Sequence, residues 1–338
     1  MTLKDLAIEL KTSPSTVSRS LQDHGGISPE MKKKVRELAA KREYRVNSFA
    51  SNLRTGTRST IGVIVPMINR DFFSNVIAGI EKKAFEKKFN AIICQSHNKI
   101  ENEIKHINTL IESNVAAIFV SLSLNTTDFS HFERASKQGI PLIFFDRVPE
   151  KTEAVKIVID DEHGAYKATE HLIKMGYQRI AHFAGSDHIN IYKERKKGYM
   201  RALSEHGIKT DGSLIVNNTL EMETGKQAIE KLLSLPQPPD ALFAASDYSA
   251  LGAYTYLRDH NISMPADFGI VGFGNEKVTG LLSPGLSSVD QYSIGIGICA
   301  FEAFYDKYVI KDKKPTKKIQ LEPTLIVRGS SLRKKQDE

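Results

Sequence analysis

Seven short apolar runs between residues 61 and 273 place the strongest limit on how this chain can fold. The runs alternate with stretches that have the spacing of a helix. Runs that are apolar on both faces are typical of parallel strands buried beneath helices. The repetition predicts doubly wound parallel sheets with right-handed crossovers. The predicted strands are 61–65, 91–94, 116–120, 142–145, 180–184, 241–245 and 270–273.

Polar residues follow most of these predicted strands. In an open α/β sheet, ligands bind beyond the carboxyl ends of the strands. Carboxylates, amides and arginines beside aromatic rings are the groups that a polyhydroxylated sugar needs. The body, at about 280 residues, exceeds the usual size of one core, and charged residues and a proline interrupt the pattern between 146 and 156. The body is therefore predicted to form two subdomains with a ligand cleft between them.

The first 58 residues carry almost all of the excess positive charge. They hold 12 Lys and Arg against 6 Asp and Glu, whereas residues 59–338 hold 35 against 34. A basic module joined to a neutral body indicates that the small part binds a polyanion. The alternative is a solvated basic surface, and charge alone does not separate the two.

The pattern inside the basic segment predicts three short helices around one core. Thr2 and Asp5 form a capping pair before the first helix, and Ser-Pro pairs at 13–14 and 28–29 begin the other two. Two helices joined by a tight turn, with a third closing the core, describe a helix-turn-helix module. Any three-helix bundle would share the apolar spacing. The second helix also aligns one polar stripe that could read base edges, formed by Ser15, Ser18, Arg19 and Gln22.

The chain resembles the LacI/GalR (lactose repressor/galactose repressor) family of bacterial transcription regulators from end to end. The most specific matches are Thr16-Val17-Ser18-Arg19, Tyr44-Arg45 followed by Asn47, Ala50 with Leu53, and the run from Thr57 to Pro66. The resemblance implies an all-α helix-turn-helix domain at 1–45, a hinge helix or linker at 46–58, and an α/β type I periplasmic-binding-protein-like body at 59–338. Its N-subdomain would comprise 59–159 and 291–319, and its C-subdomain 160–290 and 320–330.

The resemblance also implies the site residues. The start of the second helix would read the major groove, and Leu53 would wedge into a base step of the minor groove at a cost of a few kcal/mol, recovered through the bent duplex. The expected DNA-binding residues are Thr2, Pro14, Ser15, Thr16, Ser18, Arg19, Asn47, Ala50 and Leu53. The expected effector-binding residues are Phe72, Phe73, Asp146, Asp160, Arg195, Asp247, Asn275 and Gln291.

Several of these residues also have a purely structural interpretation. Asp160 and Asp247 could cap the helices that follow them, Phe72 and Phe73 could belong to the core, and Ala50 with Leu53 could be ordinary helix packing. We expect Arg195→Ala to remove the effector response while leaving ligand-free operator affinity nearly unchanged.

Three positions depart from the family pattern. Lys11 stands where resembling proteins usually have a turn glycine, so we expect either a positive φ at Lys11 or a slightly different turn. Val46 replaces a proline before the hinge. Gly274 stands where many sugar-binding members keep an aspartate, and this weakens any assignment to a particular sugar.

Two other classes of protein fit the sequence less well. An NAD-dependent enzyme would use GxGxxA, which occurs at 295–300, but that motif belongs in the first strand-turn-helix unit. A periplasmic sugar receptor would need an export signal and would lack the helix-turn-helix. Nucleophile-elbow, phosphate-loop and zinc-ligand motifs are absent from the sequence. We therefore expect neither an enzyme nor a cofactor or metal requirement.

The sequence thus predicts a cytoplasmic DNA-binding regulator, expected to be a repressor, without a membrane segment. It would act as a homodimer on near-palindromic double-stranded operator DNA, controlled allosterically by a sugar or sugar-derived effector. The effector's identity, its action as inducer or corepressor, the operator sequence, the regulated genes and the existence of a protein co-effector all stay open.

Overall fold

The computed structural model describes residues 2–21, 23–42, 44, 58–311 and 317–333. The chain divides into two compact units, 1–58 and 59–338. We call the first the head and the second the body.

The described part of the head contains three helices, α1 (Leu3–Glu9), α2 (Pro14–Leu21) and α3 (Pro29–Lys41). The capping box at Thr2 and Asp5 forms as predicted, with each side chain bonded to the other residue's backbone N–H. Ser28 caps α3 through the N–H of Met31. The helices share one small core in which the fully buried apolar side chains are Leu6, Ala7, Val17, Val35 and Ala39.

The turn between α1 and α2 has Lys11 at φ +49°. Of the two alternatives for this position, the structure has the positive φ. A non-glycine residue in the left-handed region costs of order 1 kcal/mol, so the head forms its turn against a small local penalty. Val46 lies outside the described residues.

The body contains twelve strands and eight α-helices in its described part. The strands are β1 (Thr60–Val65), β2 (Asn90–Gln95), β3 (Ile118–Val120), β4 (Leu142–Phe145), β5 (Val155–Ile159), β6 (Ile180–Phe183), β7 (Ile215–Val216), β8 (Ala241–Ala244), β9 (Gly269–Gly274), β10 (Ser287–Asp290), β11 (Lys318–Leu321) and β12 (Thr324–Ile326). The helices are α4 (Asp71–Glu86), α5 (Ile100–Glu112), α6 (Ser130–Lys137), α7 (Asp161–Lys174), α8 (Asn190–Glu205), α9 (Met222–Leu233), α10 (Asp247–Asp259) and α11 (Ser293–Phe304).

The strands form two six-stranded sheets. The first has the order β11-β5-β4-β3-β1-β2, and all of its pairs are parallel. The second has the order β12-β10-β9-β8-β6-β7, in which β12 is antiparallel to β10 and the other pairs are parallel. The predicted fold class, a helical head followed by two doubly wound sheets, is confirmed.

The chain passes between the two sheets three times. It leaves the first sheet after β5, returns between β10 and α11, and leaves again between β11 and β12. β11 extends to Leu321 in the first sheet, two residues beyond the boundary expected at 319. The interleaving means that each subdomain is built from separate stretches of sequence.

The glycine motif at 295–300 has a packing role in this fold. Gly297 lies within α11, where a Cβ would stand 2.1 Å from the carbonyl oxygen of Val76 on α4. Gly79 of α4 is packed equally closely, because a Cβ there would lie 2.3 Å from the carbonyl oxygen of Ile294. The two glycines let α4 and α11 approach backbone to backbone. The motif lies inside α11, which begins at Ser293, and not in the loop that precedes a helix, where a nucleotide-binding motif must begin.

Candidate functional site

The exposed residues at the start of α2 are the candidate DNA-reading group of the head. Pro14, Ser15 and Arg19 are exposed and Thr16 is half-buried. The hydroxyl of Ser13 lies 2.8 Å from that of Ser15 and accepts a hydrogen bond from the backbone N–H of Thr16. The N-terminal turn of α2 is therefore fixed by its own serine cap, and Arg19 lies one turn further along.

Ser18 is not part of an exposed polar stripe, although the sequence predicts that it is. Its exposed fraction is only 4%, because it lies on the side of α2 that faces the core of the head. Gln22 lies outside the described residues, so the described exposed part of the stripe is Ser15 and Arg19. Helical spacing places residues on a face but does not say how far the neighbouring helices cover that face.

The remaining predicted DNA contacts divide into two groups. Thr2 is exposed, and its hydroxyl and N–H are both engaged in the capping box of α1. The hinge residues Asn47, Ala50 and Leu53 lie outside the described residues, and their roles stay predictions.

The body has a cavity between the carboxyl ends of its two sheets. It encloses about 100 Å³, less than the roughly 300–1,000 Å³ of typical ligand pockets. Five of the eight predicted effector residues line it: Phe72, Phe73, Asp146, Arg195 and Gln291. Phe72 and Phe73 form an edge-to-face pair with centroids 5.1 Å apart and also belong to the core, so both interpretations of these rings hold.

Arg195 is the most fully engaged side chain in the cavity wall. It projects from α8 and is 3% exposed. Its Nε donates to Asp161 Oδ1 at 2.8 Å, its Nη1 to the carbonyl oxygen of Ala245 at 2.8 Å, and its Nη2 to Gln291 Oε1 at 2.9 Å. The guanidinium also lies 3.6 Å over the ring of Phe273. Arg195 therefore joins α8 to α7, to the end of β8 and to the crossing after β10.

Asp160, Asp247 and Asn275 lie outside the lining of the cavity. Asp160 caps α7 through the N–H of His163. Asp247 accepts hydrogen bonds from Ser288 Oγ at 2.6 Å and from the N–H of Glu276 at 2.8 Å. All three follow strands as expected, but the space beyond the strand ends is shared between the ligand and the structure's own hydrogen bonds, and these side chains serve the latter.

The side chain of Asn275 is also engaged in hydrogen bonds within the protein, and the backbone at the end of β9 explains why residue 274 is a glycine. Its side chain donates to Asp290 and accepts from Arg328. Gly274 before it has φ +142°, and a Cβ there would lie 3.1 Å from Asp247 Oδ2. An aspartate at 274 would therefore be strained in this backbone and would press against a second carboxylate.

Burial changes the acidity of the carboxyl groups near the cavity. It raises the pKa of Asp161 to about 7, against the opposing charge of Arg195. Burial also raises the pKa of Asp247 to about 6, and it raises the pKa of Asp146 although Arg147 and Arg195 lie near. The pKa of Glu276 rises to about 7 through burial and the nearby charges of Asp71 and Asp247. Near neutral pH, Asp161 and Glu276 therefore carry less than their full negative charge.

Sequence reasoning missed several residues that line the cavity. Glu221, Tyr248 and Glu276 come from the second subdomain, and Arg70 and Arg147 from the first. Arg147 is the second residue after β4, so its place at a strand end is a usable signal. Arg70 and Glu221 lie in the segments before α4 and α9, where no periodicity marks them.

The described residues show neither a metal site nor a membrane span. No group of three or more His, Cys, Asp or Glu side chains in that part of the chain is placed to hold a metal ion. Among the helices that the structure describes, none is long and apolar enough to cross a membrane.

Comparison with known proteins matches both units. A model of the bacterial regulatory proteins of the lacI family matches residues 2–47. A model of periplasmic binding proteins and the sugar-binding domain of the LacI family matches residues 58–327. The chain belongs to the LacI family. It is therefore a DNA-binding transcriptional regulator, and the predicted family and function class are confirmed.

Individual members of the LacI family resemble the chain along nearly all of its length. Catabolite control protein A of Priestia megaterium is 31% identical over 98% of this chain and 99% of its own. The structure of a complex of the transcriptional regulator CelR with cellobiose has 26% identity and a TM-score of 0.73, covering 98% of this chain and 99% of that one. A lac repressor dimer bound to operator has a TM-score of 0.86 over 98% of this chain and 99% of that one, and at 21% identity it supports the fold alone.

Proposed function

We propose that this LacI-family chain is a cytoplasmic repressor that binds a near-palindromic operator as a homodimer. A small sugar or sugar-derived ligand in the cavity would control its operator affinity. The homodimer follows from the two-fold symmetry of such operators, since two heads must meet two half-sites about one helical turn apart.

The head would supply sequence recognition. Arg19 can offer a fork of donors to guanine O6 and N7, and Ser15 can bond a base or a phosphate. Pro14 would lie beside them in the major groove, and Thr2 and Thr16 would contact the DNA phosphates nearby. Ser18, being buried, would support α2 from inside. The hinge residues Asn47, Ala50 and Leu53 keep their proposed place in the minor groove.

The observation that carries the effector proposal is the composition of the cavity wall. Phe72, Phe73 and Asp146 come from the first subdomain, whereas Arg195 comes from the second and Gln291 from the crossing between them. A ligand held by both subdomains changes the balance between two arrangements of the body only if it binds one of them better. A hundredfold change in operator affinity requires about 2.7 kcal/mol of such coupling.

Arg19→Ala tests the assignment of the head. In full-length protein, after an operator has been selected from a random DNA library, we expect the substitution to weaken binding by about 1–3 kcal/mol and to relax selectivity at one base pair per half-site. The measurement is a set of gel-shift or anisotropy titrations on operator variants at fixed salt.

Arg36→Ala is the matched control. Arg36 lies on α3 of the same head and pairs with Asp23 at 3.0 Å, so its loss removes a similar charge away from α2. We expect it to leave base selectivity intact. If Arg19→Ala lowers the affinity for every operator variant equally, Arg19 contacts a phosphate, and its assignment as a base-reading residue is wrong.

A further inference from the structure

Arg70 links the two subdomains across the mouth of the cavity. It precedes α4 in the first subdomain, and its guanidinium forms an ion pair with Glu221, which precedes α9 in the second. The same guanidinium lies 3.5 Å over the ring of Tyr248 at the start of α10. The Glu221 side chain is more than half exposed, whereas that of Arg70 is mostly buried. A cation on one wall is thus held by a carboxylate that solvent, or a competing anion, can reach.

Arg147 is a second cation of the same wall, and its hydrogen bonding is incomplete. It is 7% exposed. One terminal nitrogen donates to Asn98 Oδ1 at 2.7 Å and the other to the hydroxyl of Tyr192 at 3.4 Å. Its buried Nε has no hydrogen-bond partner, and Asp146 Oδ2 lies 3.9 Å from it. A buried donor left unsatisfied is costly, so an acceptor supplied from the cavity would be stabilising here.

The charges around these two arginines do not balance near neutral pH. Guanidinium groups stay charged, whereas burial raises the pKa of Asp146 and, with nearby carboxylates, raises that of Glu276 to about 7. The third arginine, Arg195, has its own buried carboxylate in Asp161. Arg70 and Arg147 therefore leave the wall with more positive than negative charge when Glu221 is displaced.

We propose that the cavity binds a ligand with an oxyanion group, a carboxylate or a phosphate, on a polyol body, and that the Glu221 carboxylate occupies the anion's position in the ligand-free protein. The oxyanion would accept a forked pair of hydrogen bonds from Arg70 and approach the free Nε of Arg147. The inference rests on the proposed effector role of the cavity and narrows its ligand class.

Calorimetric titration of the full-length chain with defined probes tests this. The probes are inorganic phosphate, glucose, glucuronate and glucose 6-phosphate, at constant ionic strength. We expect saturable binding of anionic probes and an affinity for at least one anionic sugar about tenfold or more above that for glucose. The glucuronate and glucose 6-phosphate arms distinguish a carboxylate ligand from a phosphate ligand.

Substitutions at two residues should change anion affinity in opposite directions. Glu221→Gln should tighten anion binding by about fivefold or more, because it removes the internal competitor. Arg70→Gln should weaken it by about tenfold or more, and Arg70→Lys should fall between, because it keeps the charge and loses the fork. Arg258→Gln is the control, since Arg258 is exposed on α10 and pairs with Asp259. Melting temperatures of all variants verify that they fold.

Several outcomes would overturn the inference. These are equal affinity for glucose and glucuronate, unchanged anion affinity in Glu221→Gln, or no saturable anion binding up to about 50 mM in either wild type or Glu221→Gln. Operator affinity measured in parallel separates this from the proposed function. Anion binding that never alters operator affinity would refute the effector role and leave the anionic ligand class standing. Control of operator affinity by a neutral sugar would support the effector role and refute the anionic ligand class.

Discussion

At the scale of single residues, the partners of Arg195 show that it has a structural role as well as a place in the cavity wall. The sequence marks it as a cleft arginine, and the structure places it in the cavity wall. The sequence does not show that its charge is met by Asp161, a buried carboxyl on a different helix. Removing Arg195 would leave that carboxyl without its partner, so the expectation that Arg195→Ala affects only the ligand response does not follow from the structure.

We expect Arg195→Ala to lower the free energy of unfolding of the body by about 3–5 kcal/mol, as is typical when one partner of a buried ion pair is lost. The loss should be larger at pH 8 than at pH 6, because Asp161 can escape its unpaired charge by protonation at the lower pH. Urea unfolding followed by circular dichroism measures both values. The double substitution Arg195→Ala with Asp161→Asn should recover part of the loss at pH 8. A loss below about 0.5 kcal/mol at pH 8 would contradict this account.

The candidate site shows where residue-level prediction stops. Five residues that the family resemblance implies do line the cavity, namely Phe72, Phe73, Asp146, Arg195 and Gln291. The rule that ligands bind beyond strand ends marks Asp146 and Asp160 equally. It does not say which polar side chains turn instead to the start of a helix, as Asp160 does. That choice depends on partners such as Gln320, whose side chain donates to Asp160 from a distant strand.

At the scale of elements, uninterrupted apolar strands could be predicted, whereas short, charge-interrupted or polar strands could not. All seven predicted runs coincide with strands, from β1 to β9. The seven runs do not include β5, β7, β10, β11 or β12. β10 reads Ser-Ser-Val-Asp and β11 Lys-Ile-Gln-Leu. Such short polar segments have little strand propensity of their own. They become strands because β9 and β5 offer them an open hydrogen-bonding edge.

The packing of α4 against α11 gives a prediction with an internal control. Gly297→Ala should destabilise the body by roughly 1–3 kcal/mol, because its Cβ would meet the backbone of α4. Gly295→Ala lies two residues earlier in the same helix, where a Cβ would make an ordinary contact 3.7 Å from Tyr292 Cβ. That substitution should be neutral or stabilise by up to about 1 kcal/mol. Thermal unfolding of the two variants compares them, and similar melting temperatures would show that α4 and α11 do not rely on close backbone contact.

At the scale of the whole body, a carboxylate of each subdomain accepts a hydrogen bond from a backbone N–H of the other. Glu276 Oε2 of the second subdomain accepts from the N–H of Asp71 at 3.1 Å, and Asp71 Oδ2 accepts from the N–H of Lys277 at 3.0 Å. The Glu276 carboxylate is crowded by Asp71 and Asp247, and its pKa is raised to about 7. The hydrogen bond from the Asp71 N–H favours the ionised carboxylate, but burial and the neighbouring carboxylates outweigh it, so the folded body is more stable when Glu276 carries a proton.

This link predicts how stability depends on pH. Because the folded body binds the Glu276 proton more tightly than the unfolded chain, the contribution of this group is complete below about pH 4.5 and is lost as the pH rises towards and through 7. Glu276→Gln cannot titrate. It should match wild type near pH 5 and exceed it by roughly 1–2 kcal/mol near pH 8. Urea unfolding across this range tests it, with Glu150→Gln as an exposed control. A difference that shrinks with rising pH would refute the assignment.

The interleaved path of the chain also governs how the body is made. Synthesis proceeds from the N-terminus at about 5–20 residues per second. The first subdomain must wait for α11 and β11, which are made after β6 to β10 of the second sheet. The second sheet is complete only when β12 has followed. Both halves are therefore finished almost together, late in translation. A polypeptide that ends at Asp290 would contain two incomplete sheets and no finished subdomain.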